Sequence, residues 1–345
     1  MKKMLALLLA LVMVLSLAAC ASSQPAAAST ETAETTETTE PAAEESAEAP
    51  AESGKTYTVG VCQLVQHEAL DAATQGFVDA LTEELGDAVT VDVQNASGDS
   101  VNCGTIVNGF VSKGVDLIMA NATPALTAAV SATADIPILG TSITAYGVAL
   151  DIDDFNGTVG GNVSGTSDLA DLQAQAQMIL DWFPETKTVG LLFCSAEPNS
   201  RYQIDEVRKA LEAQGVTCEE FAFTDSNDVS SVTQKAADFS DVVYIPTDNT
   251  AASNTEAIAN VLIPAGVPAV CGEEGLCRGC GVATLSISYY DLGVTTGKMA
   301  AKILKGEANI SEMPVEYTDA TPKYNASICD QLGITPLDGY EAIDG

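Results

Sequence analysis

The chain has 345 residues, with 14 Lys and Arg against 48 Asp and Glu, for a formal net charge of −34. A sequence-independent grip on nucleic acid needs clustered basic residues, and so does adsorption to anionic lipid, so this balance argues against both. Metal chemistry is poorly served too: Cys271, Cys277 and Cys280 lie close together, but a zinc site takes four N or S ligands and the one His, His67, is far away in sequence. Free thiols are the expectation, with a local disulfide of Cys277 to Cys280 or Cys271 as the alternative; no cofactor is expected.

The N-terminus opens with Lys2 and Lys3, then an apolar run over residues 4–17 broken only by Ser16. It is short for a membrane span and has the form of a signal-peptide core. It ends in Leu17-Ala18-Ala19-Cys20, which resembles a bacterial lipobox: small residues before the cut and a thiol just after it, to be lipidated. Residues 1–20 are therefore expected to be a lipoprotein signal peptide with Cys20 as its anchor, since two acyl chains hold a protein at a membrane where one is marginal. Residues 21–53 contain no Lys, Arg or aromatic residue and no aliphatic side chain larger than Ala. Such a segment cannot offset its ordering entropy by burial and is expected to be a disordered acidic tether, reaching about 100 Å at ~3.3–3.6 Å per residue.

From Lys55 the pattern becomes regular. Strands are predicted over residues 57–64, 89–93, 117–120 and 136–140, alternating with helices over 67–85, 100–112 and 123–132. A Gly-rich stretch, 156–165, follows. A second series then runs helix 169–183, strand 188–194, helix 199–214, strand 217–223, helix 229–237, strand 242–246, helix 254–262 and strands 269–272 and 283–287. A long helix over 290–304 and a strand near 315–317 close it. Alternation of this kind implies α/β architecture, with parallel sheets covered on both faces, and two series imply two lobes. Ligands in open α/β sheets bind at the carboxyl ends of strands, so the loops after strands are the place to search.

Those loops read Gln63-Leu64-Val65-Gln66-His67, Ala120-Asn121-Ala122-Thr123-Pro124, Gly140-Thr141-Ser142, Asn162 to Asp168, Ser195-Ala196-Glu197-Pro198-Asn199-Ser200, Pro246-Thr247-Asp248-Asn249-Thr250 and Asp291 to Met299. Together they resemble the ABC-transporter substrate-binding protein family that includes tryptophan- and tyrosine-binding members, over essentially all of residues 55–335. The resemblance implies the periplasmic-binding-protein type I fold, two Rossmann-like lobes joined by a three-strand hinge. Lobe 1 is then expected to be 54–163 plus about 287–315, and lobe 2 to be 164–286 plus about 316–345. It also implies a monomeric, extracytoplasmic binding protein, held to the membrane through its lipid anchor and partnered by an ABC permease and its ATPase. Its ligand would be a small amino-acid-like molecule, aromatic in kind. A sensor presenting a nucleoside or sugar to a membrane receptor is the alternative.

An amino acid presents a carboxylate, which suits hydroxyl and N–H donors, and an ammonium, which suits a carboxylate. Thr123, Thr141 and Ser142 are candidates for the first task in lobe 1, beside Gln63, Gln66 and Asn121 as amide partners. Asp248 is the expected ammonium partner, with Asn249, Ser195, Glu197, Asn199 and Ser200 around it; the alternative for Asp248 is that it caps the helix that follows. His67 reads as a packed or hinge-side residue, Glu273-Glu274 as a solvated turn, and Tyr146, Phe193, Tyr202 and Tyr289 as core or aromatic wall. There is no Walker loop, G-x-S-x-G elbow or H-E-x-x-H, so no enzymatic activity is expected.

Overall fold

The computed structural model describes residues 55–343. The expected signal peptide with its Cys20 and the expected tether lie outside the described residues. The first series runs β1 (Tyr57–Gln63), α1 (Glu68–Leu85), β2 (Val89–Asn95), α2 (Ser100–Lys113), β3 (Leu117–Asn121), α3 (Thr123–Ala132), β4 (Ile138–Ile143), α4 (Tyr146–Ala149) and β5 (Val163–Ser167). The second runs α5 (Leu172–Trp182), β6 (Thr188–Cys194), α6 (Pro198–Glu212), β7 (Thr217–Phe223), α7 (Val229–Phe239), β8 (Val242–Ile245), α8 (Asn249–Ala252), α9 (Thr255–Ala265), β9 (Ala269–Cys271), α10 (Glu274–Cys280) and β10 (Ala283–Ser286). The chain ends with α11 (Tyr289–Lys305), β11 (Glu316–Tyr317), β12 (Thr321–Tyr324), α12 (Ala326–Leu332) and β13 (Glu341–Ala342).

Two sheets result. The first has the order β11-β5-β4-β3-β1-β2 and the second β13-β12-β10-β9-β8-β6-β7. All pairings are parallel except β10 with β12. Strand β1 sits between β2 and β3, and β6 between β7 and β8. Strand order reverses at β1/β3 and at β6/β8, so a crevice opens at the carboxyl ends of these strands in each lobe. The chain crosses between lobes three times: after β5, after β10 and after β11. Strand β5 belongs to the first sheet, so the first crossing comes after Ser167 and not at residue 163, and β11 keeps 316–317 with lobe 1. The Gly-rich reading hid β5, because its small residues have no strand signature; they are needed because a Cβ on Gly165 would lie 2.0 Å from the Gly140 carbonyl of β4.

Each sheet is buried on both faces, which is why its strands lack polar alternation. On the first, Val59, Val61, Leu117 and Met119 meet Phe77, Leu81 and Met299 of α1 and α11, while Cys62, Ile118 and Ile138 meet Val107, Phe110 and Leu126 of α2 and α3. On the second, Val189, Leu191 and Phe193 pack under Ile179, Trp182 and Ile204, and Leu192, Val243 and Ile245 under Val229, Ile258 and Leu276. Phe193 and Tyr146 are therefore core residues. The eight cysteines of the described residues are all free thiols, seven of them buried.

Candidate functional site

The strand-end loops of the two lobes face each other across a cleft. Next to the crossings lies a small cavity of about 10 Å³, bounded by Ser142, Asp168, Asn199, Asp248, Glu273 and Tyr289, with His67 and Asn249 at its side. That is room for the centre of about one water-sized sphere, so in this structure the lobes are drawn together. Contacts that span them include His67 Nε2 to Asn249 Oδ1 at 3.2 Å and Arg278 Nε donating to Glu68 Oε1 at 2.9 Å. His67, the residue preceding α1, thus faces the opposite lobe instead of the interior of its own. Burial lowers its pKa against the pull of Asn249, Glu197 and Asp71.

The carboxylates around this cavity divide into two kinds. Asp248 caps α8: Oδ1 accepts from Ala251 N at 2.8 Å and Oδ2 from Cys194 N at 2.6 Å. Both oxygens accept from backbone donors, so Asp248 caps α8 while it also lines the cavity. Glu197 binds the same turn, accepting from the backbone N–H of Asn249 and Thr250 and from their side chains. Glu273 is no solvated turn; it is 2 % exposed and accepts from Gly275 N and Leu276 N at the start of α10. Burial pushes Glu273 up to about 7. Burial, then the nearby Glu197 charge, raises Asp248 more strongly, although the two N–H donors oppose the shift.

Asp168 is of the other kind. It follows β5 directly, is 5 % exposed, and accepts from the Tyr289 hydroxyl at 2.8 Å through Oδ2. Its Oδ1 has no hydrogen-bond partner. Burial raises its pKa, against the hydrogen bonds from Tyr289 and Thr144. Two more buried atoms on the same cavity lack partners: Ser142 Oγ and Asn199 Oδ1. The Asn199 amide orientation follows from its network, since Nδ2 donates to Glu197 Oε2 and Thr247 O. Ser142 also has φ 56°, a left-handed conformation unusual for a residue other than Gly, Asn or Asp.

The other predicted residues are distributed as follows. Asn249 lines the small cavity; Glu197 and Asn249 line a second cavity toward the outer strands, and Gln66 a third. Gln63 is turned into lobe 1, donating to Val65 O and Asp71 and accepting from Thr74. Asn121 donates to Leu70 O and Thr74, within the same lobe. Thr123 is buried at the start of α3. Thr141 is locked in a hydroxyl cluster with Thr166 and Thr296. Ser195 donates to Phe223 O, and Ser200 is buried beside Asn199. Sequence reasoning placed Asp168 in one of the strand-end loops and gave Tyr289 as core or aromatic wall, but named neither as a polar partner of the ligand.

Two parallel α/β lobes, three crossings and a polar cleft between strand ends define a hinged binding protein of the periplasmic-binding-protein type I fold. The family model described as ABC transporter substrate binding protein matches residues 58–339, and the chain belongs to that family. It is 32% identical over 276 residues to a tyrosine-binding protein of Clostridioides difficile (strain R20291), covering 78% of this chain and 79% of that one. A solved ABC domain from Streptococcus pneumonia in complex with L-Trp is 32% identical with a TM-score of 0.79, covering 84% of this chain and all of that one. The ligand-free, open structure of a substrate-binding protein with adhesive properties from Clostridium difficile is 33% identical, with a TM-score of 0.64 over 84% of this chain and 99% of that one.

Proposed function

We propose that this protein is the extracytoplasmic, lipid-anchored binding component of an ABC importer and that its ligand is an aromatic amino acid, tyrosine or tryptophan, held in the interlobe cleft. One observation supports the ligand class above others. Three residues of one cavity, Ser142, Asp168 and Asn199, each carry a buried polar atom without a partner: Oγ, Oδ1 and Oδ1 respectively. Most buried polar atoms in native proteins are satisfied, and three of the nine unpartnered ones among the described residues belong to residues of this one cavity, open to a ligand's polar groups. Two of the three are acceptors suited to an ammonium, and the third is a hydroxyl able to donate to a carboxylate. The amino acid's ammonium is assigned to Asp168 and Asn199, its carboxylate to Ser142. Asp248 and Glu197 act behind them by fixing the turn that presents Asn249.

At nearly equal identity, the chain superposes better on the tryptophan complex than on the open, ligand-free relative. That fits lobes drawn together over a narrow cavity, which must part to admit ligand. The test is a thermal-shift screen of residues 55–345 against the twenty amino acids, nucleosides and sugars. Ligand that binds only the native state raises Tm, and tyrosine or tryptophan is expected to give the largest rise. A protein that ignores every amino acid but responds to a sugar or nucleoside would overturn the ligand class. The anchor rests on the sequence at Leu17–Cys20. Cys20→Ser is expected to abolish acyl labelling and release the protein from the membrane fraction, and unchanged labelling would refute that assignment.

A further inference from the structure

Strands β4 and β5 pair in step from Ile138 with Val163 to Gly140 with Gly165, and again at Ile143 with Ser167. Thr141 and Ser142 therefore stand opposite Thr166 alone, a bulge of two residues against one. Bulges are uncommon between parallel strands, and beside a site they re-aim a side chain. Ser142 takes φ 56° in this bulge, a conformation that costs a residue with a Cβ and persists only where the surroundings hold it. Past the bulge the ladder resumes, with Asp168 N donating to Ile143 O at 3.2 Å. The bulge thus sets both Ser142 and the point where Asp168 leaves the sheet.

Three hydroxyls hold it from behind. Thr141 Oγ1 lies 3.1 Å from Thr166 Oγ1, which lies 2.8 Å from Thr296 Oγ1, and Thr296 Oγ1 is 3.2 Å from Thr141 Oγ1. All three residues are fully buried. Each hydroxyl has one proton to donate, and Thr296 also donates to Leu292 O at 2.9 Å. A consistent chain runs from Thr141 to Thr166 to Thr296 and out to that carbonyl. Without the Thr296 hydroxyl, Thr141 and Thr166 have only each other in the cluster, and one of their two protons has no acceptor there. Thr296 is well placed to act as a fixed point. It stands on α11 between Gly293 and Gly297, where the backbone of Ala73 and Phe77 in α1 leaves no room for a Cβ. Tyr289, which bonds Asp168, lies on the same helix about two turns earlier, hence on the same face.

We propose that Thr296 is a positioning residue of the ligand site: through Thr166 and Thr141 it locks the bulge that presents Ser142 to the ligand's carboxylate. This rests on the amino-acid reading of the cavity given above. Thr296 is not among the residues that bound the cavity, so it acts through others. One helix then sets both polar ends of the ligand, with Tyr289 orienting Asp168 for the ammonium and Thr296 fixing Ser142 for the carboxylate. Thr296→Val keeps the shape of the side chain and removes the hydroxyl, so the bulge loses its anchor and Ser142 is free to leave its left-handed conformation. Thr296→Ser keeps the hydroxyl and with it the anchor.

The experiment is calorimetric titration of wild type, Thr296→Val, Thr296→Ser, Ser142→Ala and the double variant Thr296→Val/Ser142→Ala with tyrosine and tryptophan. Tyramine, which keeps the ring and the ammonium but has no carboxylate, is read by competition at millimolar concentration. Thr296→Val and Ser142→Ala are each expected to weaken tyrosine about tenfold, and Thr296→Ser to bind like wild type. The double variant should bind no more weakly than Ser142→Ala, because Thr296 acts through Ser142. Tyramine should bind every variant as it binds wild type. A merely structural role would weaken tyramine too and would add its loss to that of Ser142→Ala. Thr166→Val breaks the same cluster from the strand side and carries the test if Thr296→Val disturbs folding. Wild-type tyrosine affinity in the folded Val variant, additive losses, or an equal loss for tyramine would each overturn the positioning role and leave the amino-acid reading standing. Wild type that binds no amino acid would overturn that reading, and this assignment with it.

Discussion

The Tyr289 hydroxyl donates to Asp168 Oδ2 at 2.8 Å, while Oδ1 of the same carboxylate has no partner. Asp168 stands just after the first crossing between lobes and Tyr289 just after the second. The hydrogen bond therefore ties the two crossings together and holds the carboxylate with one oxygen turned to the cleft. Removing one partner of a desolvated charge pair costs about 2–5 kcal/mol, or roughly 30-fold to several thousand-fold in affinity. Asp168→Asn is expected to lose tyrosine binding to that extent by calorimetry while keeping its fold. Tyr289→Phe should lose less, about tenfold, because the carboxylate stays but is no longer oriented. Wild-type affinity in Asp168→Asn would remove this residue from the site.

The acidic groups facing the cavity make the empty protein sensitive to pH. Burial raises the pKa of Asp168, Asp248 and Glu273, the last to about 7, above ordinary carboxylate values. For such groups the folded state keeps protons that the unfolded state has released, so their contribution is fully present below the unfolded pKa and is lost as pH rises through the folded one. The ligand-free protein is expected to lose stability between about pH 4 and pH 8. Half-buried His67 has its pKa shifted down and opposes this at the acidic end. An ammonium ligand favours the ionised carboxylate, so binding should release protons near neutrality. Titration in buffers of different ionisation enthalpy reads that release directly. A Tm that climbs steadily from pH 5 to pH 8 without ligand would contradict the assignment.

Arg278 joins lobe 2 to lobe 1 through Glu68 and also pairs with Glu274, which in turn receives Lys323. The pair to Glu68 is partly exposed, and such pairs contribute at most about 1 kcal/mol, a roughly fivefold bias between closed and open arrangements. Glu68→Gln is expected to enlarge the radius of gyration of the ligand-free protein in small-angle scattering, as should high salt. Saturating tyrosine should return it to the compact value. A variant indistinguishable from wild type without ligand would show that this contact does not hold the lobes.

Helices α1 and α11 meet along glycines. A Cβ on Gly293 would stand 2.0 Å from the Ala73 carbonyl oxygen, and one on Gly76 2.1 Å from that of Tyr290. Backbone cannot yield as a side chain can, so Gly293→Ala must push the helices apart, at a cost of about 1–3 kcal/mol or more. Gly104 in α2 has open space around its missing Cβ, and Gly104→Ala should stabilise by about 0.5–1 kcal/mol. Urea unfolding of both variants checks the contrast. A Gly293→Ala protein as stable as wild type would mean that the two helices pack less closely than described.

The sequence by itself determined the two alternating series, the parallel sheets and the loops in which a site had to lie, because buried strands and amphipathic helices write their periods directly into the order of residues. It also carried the signal-peptide pattern at Leu17–Cys20. It missed β5, whose small residues answer to the close approach of β4, and α10, whose first turn is held by the buried Glu273. It favoured Asp248 as the ammonium partner, where the proposed site favours Asp168. The two look alike in sequence, each an acid after a strand and before a helix. What separates them is contact between distant segments: Asp248 accepts from the amide of Cys194, 54 residues away, and from its own helix, while Asp168 accepts from the Tyr289 hydroxyl, 121 residues away, and has one oxygen without a partner. Whether a buried oxygen is already satisfied depends on donors that only the folded chain brings within reach, and that was decided by the tertiary structure alone.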